Sequence, residues 1–169
     1  MRFLWVKLYY YPQVRMEGFV FFESGVMIKV EPEARIVVKN RVYLKKGCIL
    51  ECSGKGNMIL HENSCVGHYS LMGCRDSLVL GRNSFIGQSC TLIDTKHDFT
   101  DIHAGVYCPG KCHVGADSVI FGHTSIGPDV EIADRTMILS HSVVTKSITE
   151  PGWMWSGIPA VKKKGVAHG

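Results

Sequence analysis

The chain has 169 residues, 46% of them hydrophobic and 20% charged, which suits one globular domain with a core of its own. The net charge of +4 comes mostly from Lys162, Lys163 and Lys164, so the body of the chain lacks the basic stripe that nucleic-acid binding needs. Seven cysteines, an odd number with no C-x-x-C pair, point to a reducing, cytoplasmic setting rather than a disulfide scaffold.

Residues 1–24 open with "MRFLWVKLYYYPQVRMEGFVFF", aromatic and apolar but interrupted by Lys7, Pro12, Arg15 and Glu17. No small-residue cleavage site follows, and the apolar run is too broken to span a bilayer. The segment reads as a strand or short helix that docks over one end of a core. Contact with a membrane surface is the lesser alternative.

From residue 25 to 150 the chain keeps a six-residue beat. Aliphatic or small residues fall at Val30, Ile36, Val42, Cys48, Gly54, Leu60, Val66 and Met72, then, after a slip of two, at Leu80, Ile86 and Leu92. The beat returns at Val114, Ile120, Ile126, Ile132, Ile138 and Val144. Glycine often follows (Gly67, Gly81, Gly87, Gly115), and the position before each aliphatic pair is small, as at Ser64, Ser70, Ser84, Ser118, Thr136 and Ser142. A period of six is neither helical nor a simple strand alternation. It describes short strands joined by tight corners, with the aliphatic residue inside and the glycine letting the backbone bend. Three strands per coil make a triangular prism of roughly six coils, about 25–30 Å tall at the usual strand spacing.

One stretch, Leu92 to Gly115, breaks the beat and places an inserted loop at 94–112. It begins Asp94-Thr95-Lys96-His97-Asp98, a histidine among acids. A lone histidine in a polar loop is usually just solvated; what sets His97 apart is that it heads the insertion, with Asp94, Asp98 and Asp101 near enough to orient its ring. His103 and His113 lie in the same insertion. Cys108, Cys112 and His113 supply three zinc-type ligands but no evident fourth, so no metal is expected. His123 and His141, eighteen residues apart, should stack in one outward column; the H-x4-H pair of a metal-dependent β-helix enzyme is absent. Residues 151–169 form a basic tail.

Three segments carry a resemblance. "LVLGRNSFIGQSCTLIDTKHDF" leads two hexads into the histidine loop, "VGADSVIFGHTSIGPDVEIADRTMILSHSVVTKSI" continues the coils, and "SGIPAVKKK" closes the chain. Over residues 25–164 the sequence resembles the hexapeptide-repeat acyltransferases, closest to the sugar and polysaccharide O-acetyltransferases. The resemblance implies an all-β, left-handed parallel β-helix with one protruding loop, assembled as a homotrimer. It implies acetyl-CoA as co-substrate, a sugar hydroxyl of a glycan or glycan precursor as acceptor, and His97 as general base with Asp94 behind it. By the same likeness Gly122, Ser140, Thr145, Lys146, Lys162 and Lys164 would face the cofactor, and His68, Tyr69 and Ser70 the acceptor. Val119, Phe121, Asp129 and Leu139 depart from the family pattern at corners where smaller residues or tryptophan are usual. The alternatives are an N-acetyltransferase acting on an amino or nucleotide sugar, and a non-catalytic or metal-binding β-helix trimer.

Overall fold

The computed structural model describes residues 12–98 and 107–165, and they form a parallel β-solenoid with three walls. The first wall stacks Val14–Met16, Arg35–Val38, Asn57–Leu60, Ser77–Leu80, Lys111–Val114 and Val130–Ile132. The second stacks Val20–Phe22, Val42–Leu44, Cys65–Val66, Phe85–Ile86, Val119–Ile120, Met137–Ile138 and Trp153–Ser156. The third stacks Met27–Val30, Ile49–Cys52, Leu71–Cys74, Thr91–Ile93, Ser125–Ile126 and Val143–Val144. The architecture is consistent with the expected left-handed parallel β-helix of about 6 turns. Among the described residues no helix is long and apolar enough to cross a membrane.

The core is a set of ladders. In the first wall Ile36, Met58, Leu78, Cys112 and Val130 lie in register and point inward, as do Val38, Leu60, Leu80, Val114 and Ile132. The second wall contributes Val66, Ile86, Ile120 and Ile138, the third Leu50, Met72, Leu92, Ile126 and Val144. Each buried aliphatic of this size is worth about 1.5–3 kcal/mol over its exposed state, so stacking the coils is what holds them.

The coils are not all eighteen residues long. Ile36 pairs with Met58, 22 positions on; Met58 pairs with Leu78, 20 on; Cys112 pairs with Val130, 18 on. The long coils carry four-residue strands with two inward side chains each, as in Leu50 with Cys52. The hexads expected between Val30 and Met72 therefore break: Val30 is only half-buried, and Gly54 is an exposed corner at φ +60°. The slip of two after Met72 is the excess of the 20-residue coil, which runs from Leu60 to Leu80, over three hexads.

The corners also work differently from the expectation. Their left-handed positions are occupied by Asn63, Tyr69, Asn83, Asp117, His123, Asp129, Arg135 and His141, all with φ between +56° and +60°. The repeat glycines are needed for stacking instead. A Cβ on Gly87 would lie 2.5 Å from the backbone N of Gly122, and one on Gly67 would lie 2.2 Å from the carbonyl of Gly87. The small polar residues do what small size predicts, and more. Ser84 Oγ donates to Gly115 O at 2.7 Å and accepts from Ser118 N at 3.0 Å, and Ser118 Oγ accepts from Thr136 N at 3.1 Å. This hydroxyl ladder keeps the buried corners satisfied.

Residues 12–24, expected to dock over one end of the core as a strand or short helix, stack on the solenoid's first coil through Val14–Met16 and Val20–Phe22; residues 1–11 lie outside the described residues. Two boundaries shift. The insertion ends earlier than 112, because Lys111–Val114 is already back in the first wall. Within the described residues the C-terminal tail joins the solenoid: Trp153–Ser156 extends the second wall, and Val161–Gly165 folds back on it antiparallel.

Candidate active site

The insertion leaves the prism at the corner between the third and first walls, directly after Ile93. Asp94 stands at its root and is fully buried. Its two carboxylate oxygens accept the backbone N–H of Arg75 at 2.9 Å and that of Asp76 at 2.8 Å. These contacts correct its expected role. Asp94 is a clamp between successive coils, and its oxygens are turned to backbone amides rather than to the ring of His97.

Beyond the clamp the chain makes an antiparallel ribbon of Thr95–His97 with Tyr107–Pro109. The parallel walls offer no such partner, so the ribbon projects. Lys96 reaches Asp129 on the next coil, Nζ to Oδ2 at 3.6 Å. Re-entry is tight: a Cβ on Gly110 would sit 2.3 Å from Asp129 Oδ1. Asp129, one of the departures from the family pattern, is thus a pin for the ribbon.

His97 is exposed and lies opposite Tyr107 in the ribbon's register. Their ring centroids are 4.7 Å apart with a 40° tilt. The guanidinium of Arg75 lies 3.9 Å from the centroid of the same tyrosine ring. Neither Tyr107 nor Arg75 stands out in the sequence; Arg75 belongs to the preceding coil and meets the ribbon only through stacking. Asp98 follows His97 at the strand end, and Asp101 and His103 lie outside the described residues.

The third wall beside the ribbon has a low outer face. Thr91, Ser125 and Val143 stack there in register, all small. Its far margin is the corner that holds Gly122, Ser140 and the pair His123 and His141, whose rings stack at 4.9 Å and 3° as their spacing predicts. Phe121 and Leu139 sit just before that corner, Phe121 well exposed. On the ribbon's own side, exposed Thr145 and Lys146 follow Val143–Val144, above Asp129. The ribbon, the small face, Lys146 and the Gly122–Ser140 corner therefore border one strip of surface.

Other expected site residues fall elsewhere or are already engaged. Ser70 is buried; it donates to Gly87 O at 2.8 Å and accepts from Cys90 N at 3.0 Å, so it is a corner hydroxyl and not an acceptor contact. His68 pairs with Glu23, Nε2 to Oε2 at 3.3 Å, and Lys46 N–H holds that carboxylate below the usual range. Tyr69 is an exposed corner residue beside it, across the third wall from the ribbon. Lys162, expected to face the cofactor, is bonded to Glu150 and lies over Trp153, 3.6 Å from the ring centroid. Lys164 remains exposed on the last strand. His113 is on the outside of the first wall, its Nε2 2.7 Å from Ser77 Oγ, while Cys112 points into the core. Among the described residues no group of three or more His, Cys, Asp or Glu is placed to hold a metal ion.

No family model matches the chain. A protein of Arabidopsis thaliana described as probable UDP-3-O-acylglucosamine N-acyltransferase 2, mitochondrial, is 24% identical over 151 residues, 88% of this chain. The chain spans 43% of that relative's length. Among solved structures, a variant of AntD, an N-acyltransferase from Bacillus cereus in complex with dTDP-4-amino-4,6-dideoxyglucose and coenzyme A, superposes with a TM-score of 0.77. The match covers 98% of this chain and 89% of that one at 17% identity. The polysialic acid O-acetyltransferase OatWY gives 0.63 over 90% of this chain and 89% of its own, at 14% identity. At these identities the likeness establishes the solenoid fold shared with acyltransferases.

Proposed function

We propose that the chain transfers an acetyl group from acetyl-CoA to a sugar hydroxyl of a glycan or glycan precursor, with His97 as general base. The observation that carries this reading is the ribbon: the solenoid is interrupted to hold one exposed histidine beside a strip of small side chains. Pantetheine is a thin, flexible arm, and Thr91, Ser125 and Val143 leave it room to lie along the wall. Lys146 and Lys164 would meet the CoA phosphates as point charges.

The step balances without a metal. An alcohol is a poor nucleophile at neutral pH, so His97 takes the hydroxyl proton as the oxygen attacks the thioester carbonyl. The tetrahedral intermediate then collapses, the C–S bond breaks, and the imidazolium returns the proton to the leaving thiolate. The products are the acetyl ester and free CoA.

A second reading puts an amine in place of the hydroxyl. Its specific support is the near-complete structural match to AntD, which was solved with an amino sugar nucleotide. An amine acceptor needs the same base to remove a proton as the C–N bond forms, so the site serves either chemistry.

A second prism completes the site in this reading. The outer face of the second wall carries Phe21, Tyr43, Cys65, Phe85, Val119 and Met137 in one register, a mostly apolar row with Lys45 lying over the Tyr43 and Phe85 rings. Such a row is a natural association surface, and we assign it to a homotrimer.

The test is thiol release from acetyl-CoA with hydroxyl sugars and amino sugar nucleotides offered in parallel. His97→Ala should lower kcat by about 10²–10⁴-fold on the preferred acceptor. Wild-type protein that releases no thiol with either class, or a His97→Ala variant with full activity, would overturn the reading.

A further inference from the structure

We infer that Tyr107 and Arg75 are positioning residues for His97, a role that rests on His97 being the base. A two-stranded ribbon with three residue pairs is marginal on its own in water. An exposed histidine on such a ribbon would turn freely about χ1 and χ2, and a base must stay within hydrogen-bond reach of its proton. Something has to hold the ring.

Tyr107 supplies the first restraint. It is the direct cross-strand partner of His97, and the 4.7 Å centroid distance is within the range of a favourable aromatic pair. Arg75 supplies the second. Its guanidinium rests on the Tyr107 ring at 3.9 Å, the distance of a cation–π contact. Arg75 is itself fixed, because Asp94 grips its backbone N–H. The line of support runs from the buried carboxylate through Arg75 and Tyr107 to the imidazole. Asp94 thus does serve His97, through two intermediaries that the linear sequence keeps 32 residues apart.

The ring of Tyr107 does the holding, and its hydroxyl has no part in the contact. Tyr107→Leu should therefore lower kcat by about 10–10²-fold, the scale of a misplaced catalytic group, with KM for acetyl-CoA and acceptor little changed. Tyr107→Phe should keep wild-type kcat. Arg75→Met should fall part of the way and Arg75→Lys should recover most of it. Both side chains lie outside the core, so melting temperatures of all four variants should match the wild type. A readout independent of activity is the His97 ring-proton NMR signal, shifted by the Tyr107 ring current; that shift should vanish in Tyr107→Leu and persist in Tyr107→Phe. Full kcat in Tyr107→Leu, or equal loss in Leu and Phe variants, would overturn the inference while His97→Ala still loses activity. If His97→Ala stays active, it is the base assignment that falls.

Discussion

Gly87 shows how little room the stack leaves at a single residue. Its missing Cβ is what lets Gly122 of the next coil approach, since the added carbon would lie 2.5 Å from a backbone nitrogen. Gly87→Ala should cost about 1–3 kcal/mol, the range for overpacking a tight interior, read as a lower denaturant midpoint. The buried thiols give a second expectation. Burial pushes Cys48 and Cys112 up to about 12 from an ordinary value near 9.0. The folded state thus binds these protons more tightly than the unfolded one. Their contribution to stability is complete below the unfolded thiol pKa and is lost as pH climbs from there toward about 12. Denaturant midpoints should decline over that alkaline window, and Cys112→Ala should flatten the decline. At this scale the sequence was only partly legible. The small residues at Ser84, Ser118 and Thr136 were readable as buried corners, because size is written in the residue type. The reason for Gly87 was not, because its constraint comes from a coil 34 residues later.

The ribbon is the element that separates chemistry from architecture. Four contacts hold it: the Asp94 clamp, the Lys96–Asp129 ion pair, the close passage at Gly110, and Arg75 on Tyr107. Asp94→Ala should remove an acceptor from two backbone amides and cost about 1–3 kcal/mol by denaturation. A thermal melt as cooperative and as high as wild type would show that the clamp is dispensable. Replacing residues 95–109 by a short turn should leave the solenoid folded by far-UV circular dichroism while thiol release is lost. Activity in that deletion would remove the ribbon from the mechanism. The break in the hexads made the insertion visible in sequence, and His97 with it. Its internal pairing was not visible, since Thr95–His97 and Tyr107–Pro109 are three-residue strands with no alternation to mark them. Asp94 stands out only for its nearness to His97 in sequence, and sequence distance says little at a corner where three coils meet.

At the scale of the whole molecule, the proposed trimer rests on the row from Phe21 to Met137. Sedimentation should give about three times the chain mass of 18.8 kDa, and Phe85→Asp together with Val119→Asp should yield monomers without transferase activity. A monomeric wild type with full turnover would refute the shared site. The coil lengths have a consequence of another kind. From 22 residues through 20 to 18, the girth shrinks along the axis, so the prism is a tapered plug with a wide end and a narrow one. A taper confers polarity: each coil fits a neighbour of its own length or the next one down. An extra copy of residues 115–132, spliced in after residue 132, should lengthen the protein and leave its melt cooperative. The same copy spliced between Val38 and Val42, in phase with the walls, would seat a narrow ring between two wide ones, and that protein should be trapped as inclusion bodies.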